Sequence, residues 1–418
     1  MGNPYTGGRC ARCVLGTRVD GLLGPELEAM PALAALAQCL ADAPQPRSVI
    51  HWLDHSAAAQ LLARLAADHA NLTHYLLDAL PQDPRTRYVR GLLVSANVLP
   101  ERNEHLAQTE LWVARTIKAV PDHQRRIIHA FAEWHTLKTA RRQSARGRYT
   151  AGSAAQDRTE ILRAIDFVAW LDSQGLSLHT ATQPALDHWL TQAPGHRRGL
   201  VAFIRWVRLR RLADLTLTAP GRGLPQHFLG DHELHAQLHR CLTDEALPLD
   251  VRVAGSLIRL FALPASRIAK LTADAFVRDE TGAYLTVNET RALLPPRLAA
   301  LVEELISRPQ SPAAVIRGPG HGPGYLFPGK TPGRPRSANS IRCRLSQHGL
   351  LTLAARNTAM ITLISDMPPQ IVSDLLGFSP STTTQWAAYL QDSWSDYLVA
   401  RGRLATALPD ATPERPQT

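Results

Sequence analysis

Apolar residues recur at every third or fourth position through most of the chain, which is the repeat of an amphipathic helix. Clear examples are SAAAQLLARLAADHA at 56–70, ILRAIDFVAWL at 161–171 and VRVAGSLIRLFAL at 251–263. Alternation with a period of two, typical of a strand, occurs at 283–287, after the turn formed by 280–282. The pattern therefore predicts a mainly α protein with a small β-hairpin or sheet.

Breaks in this periodicity predict the domain boundaries. Residues 219–225 contain turn formers without periodicity and form a predicted linker. The 418 residues are enough for two or three domains, each with its own core. We predict a helical N-terminal extension over 1–103, a helical domain over 104–218, a second domain over 226–404 and a disordered Pro-rich tail over 405–418.

Three short helices are predicted between 350 and 397. The first is mostly apolar with small residues and carries one charge, Arg356. The second ends at Gly377, because glycine is the usual residue just beyond a helix C-terminus. Ser379 is the predicted N-cap of the third.

Composition narrows the class of partner. The formal net charge is +10 and the pI is about 9.8, and arginine supplies most of the excess. A basic protein of this kind usually binds nucleic acid, although an arginine-rich composition from a GC-rich genome is an alternative. Five cysteines do not suggest a disulfide framework and fit a reducing cytoplasm. No apolar run is long enough for a membrane span.

Three basic runs are predicted to contact the phosphates of DNA, because a guanidinium binds phosphate through a planar pair of donors. Two of them flank the helical unit of the 104–218 domain, and the third lies in a Gly- and Pro-rich loop. Their members are Lys138, Arg141, Arg142, Arg146 and Arg148; Arg197, Arg198, Arg205 and Arg208; and Lys330, Arg334 and Arg336. The alternative is that these side chains form solvated helix faces.

An arginine within an apolar helix, followed by LLG, a Ser/Thr-rich helix start and a tyrosine, resembles the C-terminal half of the tyrosine recombinase (phage integrase) family. The segments ASRIAKLTADAF, LLPPRLAALVEEL and YLFPGK resemble further family motifs. The preceding helical domain is similar in pattern to the family's core-binding (SAM-like) domain. The resemblance implies a mostly helical catalytic domain with a small β-hairpin or sheet.

The resemblance also assigns catalytic positions, and most of them are changed. Arg267 and Arg356 stand where the family has its two phosphate-binding arginines. Leu353 and Phe378 stand in place of two histidines, and Ala387 stands in place of the nucleophilic tyrosine. The family needs no metal or cofactor for cleavage.

Two other elements of that chemistry are also displaced or absent. The family places a proton-donating lysine on its hairpin, whereas no lysine occurs between 271 and 329 and Arg291 is the only cation on the hairpin. The nearest tyrosines are Tyr389 and Tyr397. On a continuous helix, Tyr389 would point about 200° away from the expected direction, so it is a displaced candidate nucleophile.

Cys10 and Cys13 form a C-x-x-C pair, which is half of a tetrahedral zinc site. Cys39, His51 and His55 are the nearest candidates for the other half. The pair therefore has two interpretations, a structural zinc site or an incidental or redox-neutral pair.

The leading hypothesis is a cytoplasmic, nucleoid-associated protein of integrase architecture that clamps double-stranded DNA between two basic domains, with homo-oligomers assembling on the DNA and no membrane partner. Its role would concern DNA integration, recombination or mobile-element maintenance. An active recombinase using Tyr389 is the alternative, and an interaction protein that has lost DNA binding is a third reading. Arg267 and Arg356 could also be structural arginines paired with an acid such as Asp374.

Overall fold

The computed structural model describes residues 4–23, 32–68, 72–219, 227–308 and 324–391. It is mainly helical, with a small three-stranded antiparallel sheet, which confirms the predicted fold class. The chain divides into two compact units, one of Met1–Leu99 with Leu224–Thr418 and the other of Pro100–Gly223. The predicted three-domain division stays a prediction. Tyr397, the tail over 405–418, most of the predicted linker and the first part of the basic loop lie outside the described residues.

The N-terminal part of the first unit is a short hairpin followed by helices around a core of leucine, valine and isoleucine side chains. Its elements are β1 (Pro4–Thr6), β2 (Arg9–Cys10), α1 (Ala11–Leu23), α2 (Ala32–Ala41), α3 (Pro46–His55), α4 (Ala57–Ala67), α5 (His74–Ala79) and α6 (Pro84–Ser95). Side-chain caps fix several helix starts: Ser56 accepts from the backbone N–H of Ala58, and Asp83 accepts from those of Arg85 and Thr86.

The second unit is entirely helical among its described residues. Its elements are α7 (Glu104–Ala119), α8 (Asp122–Phe131), a π-helical turn (Ala132–Leu137), α9 (Lys138–Ala145), α10 (Ala151–Ser173), a 3₁₀ turn (Leu178–Thr180), α11 (Gln183–Gln192), a second 3₁₀ turn (Pro194–His196) and α12 (Arg197–Leu209). One side of α12 is apolar and buried, formed by Leu200, Phe203, Ile204 and Val207. Phe203 packs edge-on against Phe131 of α8 with 5.1 Å between ring centres. This packing turns the arginines of α12 towards solvent.

The C-terminal part of the first unit contains the sheet. Its elements are α13 (Asp231–Thr243), α14 (Leu249–Phe261), α15 (Ala265–Ile268), a 3₁₀ turn (Ala273–Ala275), β3 (Phe276–Asp279), β4 (Gly282–Thr286), β5 (Arg291–Leu293), α16 (Pro296–Ser307), α17 (Ala338–Gln347), α18 (Thr352–Asp366), α19 (Pro369–Leu376) and α20 (380–391). The strands pair in the order β3-β4-β5, with Phe276 opposite Leu285 and Leu285 opposite Ala292. Leu285 and Ala292 are buried, so this sheet closes one side of the core around α14.

The three helices predicted between 350 and 397 are α18, α19 and α20. Gly377 adopts a left-handed conformation (φ +65°) and ends α19, as predicted. A glycine is required there for a second reason, because an added Cβ would lie 2.7 Å from Nη1 of Arg267 and 2.8 Å from Cβ of Asn288. Gly377 therefore lets α15 and the β4–β5 loop approach the end of α19.

Asp250 links α14 to the basic loop and to α17. Its carboxylate pairs with Arg336 and accepts a hydrogen bond from Nη2 of Arg344 at 3.2 Å. Burial raises the pKa of Asp250, but the hydrogen bonds and charges of Arg344 and Arg336 outweigh this effect, so the net pKa is lowered. Arg336, one of the predicted DNA contacts, is thus engaged by an acid within the fold.

Asp250→Asn should lower the free energy of unfolding at pH 7 by about 2 kcal/mol, because two guanidiniums lose their counter-charge. A depressed carboxyl pKa stabilises the fold above the unfolded pKa of about 3.9 and loses that effect as pH falls through the folded value. The difference in the free energy of unfolding between wild type and variant should therefore become smaller below about pH 4. Urea titrations at several pH values measure this difference. The exposed Asp274→Asn is the control, and an equal loss in both variants would contradict the assignment.

Candidate phosphate-binding site

Arg267 and Arg356 lie against the same aromatic ring, although they are far apart in the sequence. Arg267 is on α15 and Arg356 is on α18. The guanidinium carbon of each lies 5.8 Å from the ring centre of Phe378, which follows Gly377 at the end of α19. The structure therefore brings together the two arginines that the sequence singled out, and both contact the phenylalanine that stands in place of a family histidine.

Main-chain carbonyls hold both guanidiniums. Arg267 donates to the carbonyl oxygen of Leu376 and, at 2.7 Å, to that of Gly377, and Arg356 donates through Nε to that of Ala262 at 2.9 Å. These acceptors are at the C-terminal ends of α19 and α14, where the last carbonyls have no partner within the helix. A guanidinium has five N–H donors, so within the described part of the chain three on Arg267 and four on Arg356 are not used by these bonds.

No carboxylate neutralises either arginine within the described residues. Asp374, the acid proposed as a structural partner, accepts instead from Nε2 of Gln370 at 3.0 Å. Burial lowers the pKa of Arg267, and burial together with the charge of Arg267 lowers that of Arg356. Two adjacent positive charges that repel each other favour the binding of an anion beside them.

A pocket of about 260 Å³ opens beside Arg267. Among the described residues it is lined by Arg267, Lys270, Thr272, Thr286 and Asn288, together with three apolar residues, and none of these is an acid. Lys270 is exposed, and it follows Arg267 by three positions, which places both on one side of a helical turn. The lining offers two cations, two hydroxyls and an amide, which is the donor set that an oxyanion such as phosphate requires.

Lys270 is a functional candidate that the sequence reasoning missed. The resemblance places the family's lysine on the hairpin, within 271–329, and Lys270 lies one residue before that range. The available signal was the spacing between Arg267 and Lys270. The hairpin contributes Thr286 and Asn288 to the pocket, so it lines the same site without supplying a cation.

The positions that the resemblance assigns to the missing groups differ in their surroundings. Leu353 is 58% exposed, whereas Phe378 is buried. Ala387 packs against the same small core that contains Phe378 and Met360. The side of α20 that bears Ala387 therefore packs on the core that contains Phe378, and position 387 itself carries no nucleophile.

Tyr389 lies in a different environment from Ala387. Its ring stacks on Phe228 with 5.9 Å between ring centres and 10° between planes, and it meets Trp386 edge-on at 6.1 Å. This is aromatic packing on another side of α20, in keeping with the expected rotation. A catalytic role for Tyr389 stays a prediction.

The second unit carries its own basic surface on α9 and α12. Arg198 and Arg205 are two turns apart on the side of α12 away from the core, and both are exposed. Burial lowers the pKa of His135, in the π-helical turn, and the charge of Arg205 lowers it further. Since α9 begins at Lys138, directly after that turn, Arg205 is close to the start of α9.

The other predicted phosphate contacts of this unit are not equivalent. Lys138, Arg142, Arg146 and Arg148 are exposed on or just after α9. Arg141 is held by Glu110 at 2.7 Å and Glu133 at 2.6 Å, and hydrogen bonds to these acids raise its pKa. Arg197 reaches the carbonyl oxygen of Thr218 at 3.5 Å, and Arg208 is 4.0 Å from Asp214. Arg141 is therefore the member whose charge is already balanced.

Of the basic loop, Lys330 is exposed, whereas Arg334 is partly buried. The backbone N–H of Gly329 donates to the carbonyl oxygen of Arg334 at 2.9 Å and closes the loop. Arg336 is bound to Asp250. Lys330 is thus the member of this run with the most accessible charge.

Cys39, His51 and His55, the candidates for the second half of a zinc site, do not join Cys10 and Cys13 in a group of ligands among the described residues. No group of three His, Cys, Asp or Glu side chains able to hold a metal ion occurs in the part of the chain that the structure describes. Cys39 is buried, and His51 and His55 stack on each other with 4.4 Å between ring centres. A zinc site at Cys10 and Cys13 stays a prediction.

No protein-family model and no curated protein matches the chain. Similar solved structures include the XerH site-specific recombinase bound to difH substrate in a pre-cleavage complex, at 15% identity and a TM-score of 0.42, covering 71% of this chain and 98% of that one. The post-cleavage complex of XerH with palindromic difH gives 15% identity and a TM-score of 0.34, covering 89% and 95%.

The XerA recombinase gives 11% identity and a TM-score of 0.30, covering 66% of this chain and 98% of that one. All three are structures of recombinases, as the sequence resemblance predicts. Among its described helices, none is long and apolar enough to cross a membrane.

Proposed function

We propose that this protein binds duplex DNA through a recombinase-like site that holds a backbone phosphate and does not cut the strand. The observation that carries the proposal is the contact of both Arg267 and Arg356 with the ring of Phe378, without a neutralising acid among the described residues. The pocket beside Arg267 adds Lys270 and uncharged donors. Such a site suits a phosphodiester, which carries one negative charge and two non-bridging oxygens.

The basic surface of the second unit supports the same partner. Exposed cations on α9 and α12 would bind phosphates further along the duplex. Phosphate contacts fix the position of a protein on DNA and carry no sequence information. The proposed protein would occupy DNA in the cytoplasm, and several copies could assemble along one duplex.

The absence of cleavage is inferred from the groups that stand at the catalytic positions. Phe378 cannot exchange protons, and Ala387 cannot attack phosphorus. Removing a single preorganised donor costs about 10²–10³ in rate in other enzymes. Loss of both histidines and of the hairpin lysine would leave little catalysis, even though such losses are not additive.

An active recombinase that uses Tyr389 is the second candidate. Its support is the presence of a phenol on α20 two residues from Ala387. A nicked suicide duplex tests it, because the nick lets the cleaved end escape and traps the covalent complex. A covalent band on a denaturing gel that disappears in Tyr389→Phe would establish this candidate. A native-gel shift without a covalent band supports binding alone.

Lys270→Gln should weaken binding to a labelled mixed-sequence duplex by about 5–10-fold at low salt and reduce the slope of log affinity against log salt by about 1. Lys270 is exposed, so the melting temperature should not change. Arg297→Gln removes an equally exposed cation from α16 and should leave the slope unchanged. Wild-type affinity and slope in Lys270→Gln would place the phosphate elsewhere, and binding that is insensitive to salt would favour an interaction protein.

A further inference from the structure

Cys10 and Cys13 meet at the junction between β2 and α1. Their Sγ atoms are 3.3 Å apart, and the backbone N–H of Cys13 lies 3.4 Å from Sγ of Cys10. Cys10 is the last residue of β2 and Cys13 is in the first turn of α1. The junction of the hairpin and α1 therefore holds the two sulfurs in contact at the surface. Cys13 is exposed there, and Cys10 is partly exposed.

The two thiols are not chemically equivalent. Sγ of Cys10 accepts a hydrogen bond from the backbone N–H of Cys13 at 3.4 Å. That N–H belongs to the first turn of α1, where backbone donors have no partner within the helix. Cys10 is therefore the sulfur placed to act as the attacking nucleophile, and Cys13, in contact with it, is placed to resolve a mixed disulfide.

A metal site needs more ligands than this junction supplies. A tetrahedral zinc site takes four ligands, and no group of three candidate side chains occurs among the residues that the structure describes. Two adjacent thiols are, by contrast, sufficient for the formation of a disulfide. The other cysteines provide comparisons within the same molecule, since Cys39 and Cys241 are buried and Cys343 is exposed on α17.

We propose that Cys10 and Cys13 form a redox-active dithiol that exchanges with low-molecular-weight disulfides. The Cys10 thiolate attacks one sulfur of the small disulfide, forms a mixed disulfide and releases one small thiolate. Cys13, after losing its proton, attacks Sγ of Cys10, forms the Cys10–Cys13 disulfide and releases the second small thiolate. The protein loses two electrons and two hydrogens, and the small disulfide is reduced to two thiols. The inference does not depend on DNA binding.

The test uses the reduced full-length protein with oxidised glutathione, followed by alkylation and mass spectrometry. Wild type should form the intramolecular Cys10–Cys13 disulfide without accumulating a mixed disulfide at either residue. Cys13→Ser should accumulate one glutathionyl group on Cys10, at a rate about tenfold above that of Cys343 in the same molecules. Cys10→Ser should leave Cys13 reacting no faster than Cys343.

Two results would overturn the proposal. One is a Cys10 in Cys13→Ser that reacts no faster than Cys343, because the pair would then confer no special reactivity. The other is a wild-type protein that carries one zinc ion per chain, measured by elemental analysis, and whose two cysteines become alkylated only after chelation. Metal-free protein that forms the disulfide supports it.

Discussion

Replacing Arg205 and Arg208 together with glutamate should weaken binding to duplex DNA by about 100-fold at low salt, with a salt slope smaller by about 2. Both guanidiniums are exposed on α12, whose opposite side is fixed in the core by Leu200 and Phe203. The acid near Arg208, Asp214, is 97% exposed and 4.0 Å away, so it does little to neutralise that charge. Each substitution removes a phosphate contact and adds repulsion.

A charge-matched variant separates a local effect from an effect of net charge. Arg115→Glu with Lys118→Glu changes two exposed cations of α7 in the same unit by the same total charge. We expect a much smaller loss of affinity in this control, and unchanged melting temperatures in both variants. Equal losses would mean that the DNA-binding surface is not on α12. Fluorescence anisotropy at several salt concentrations provides the comparison.

The second large effect is a gain of function. Phe378→His with Ala387→Tyr should allow the protein to form a covalent complex with a nicked duplex, whereas the parent chain forms none. The reason is geometric, because Phe378 already contacts both Arg267 and Arg356, and Ala387 packs against the core that contains Phe378. The rebuilt pair would supply a proton donor and a nucleophile next to bound phosphate. The yield should be low, because other family groups remain absent.

Two controls limit the interpretation of this experiment. Adding Arg356→Ala to the rebuilt protein should abolish the covalent band, whereas adding Tyr389→Phe should leave it. Thermal melting establishes that a tyrosine at position 387 is tolerated in the partly buried site. A stable rebuilt protein that binds DNA and yields no adduct would argue that the two arginines do not hold the scissile phosphate. A parental adduct that depends on Tyr389 would instead support an active enzyme.

Local signals in the sequence are sufficient to predict much of the fold. Gly377 and Ser379 delimit α19 and α20 because their effects on backbone conformation act within a few residues. The turn at 280–282 is predicted for the same reason. The sharing of one ring by Arg267 and Arg356 could be anticipated only through the family resemblance, since no local rule relates residues so far apart.

Which basic side chains form ion pairs within the fold could not be predicted from such local signals. Arg141 and Arg142 are adjacent in one basic run, yet Arg141 is neutralised by two acids and Arg142 is exposed. Arg336 likewise meets Asp250, which is distant in the sequence. Counter-charges depend on tertiary contacts, so a count of cations overstates the number available to a polyanion. Lys270 is a different case, because its spacing of three residues from Arg267 is a local signal. It was not predicted because the resemblance places the family's lysine on the hairpin.

The hydrogen bonds from Arg267 and Arg356 to main-chain carbonyl oxygens affect the entropy of anion binding. An arginine side chain free in solution loses about 2 kcal/mol of rotamer entropy when it is fixed in place. Here the carbonyl oxygens of Leu376, Gly377 and Ala262 already restrict both side chains. That entropy is lost when the protein folds, so an arriving anion meets donors of fixed direction. An anion whose oxygens match those directions should therefore bind with a smaller entropic cost than it would pay at unrestrained arginines.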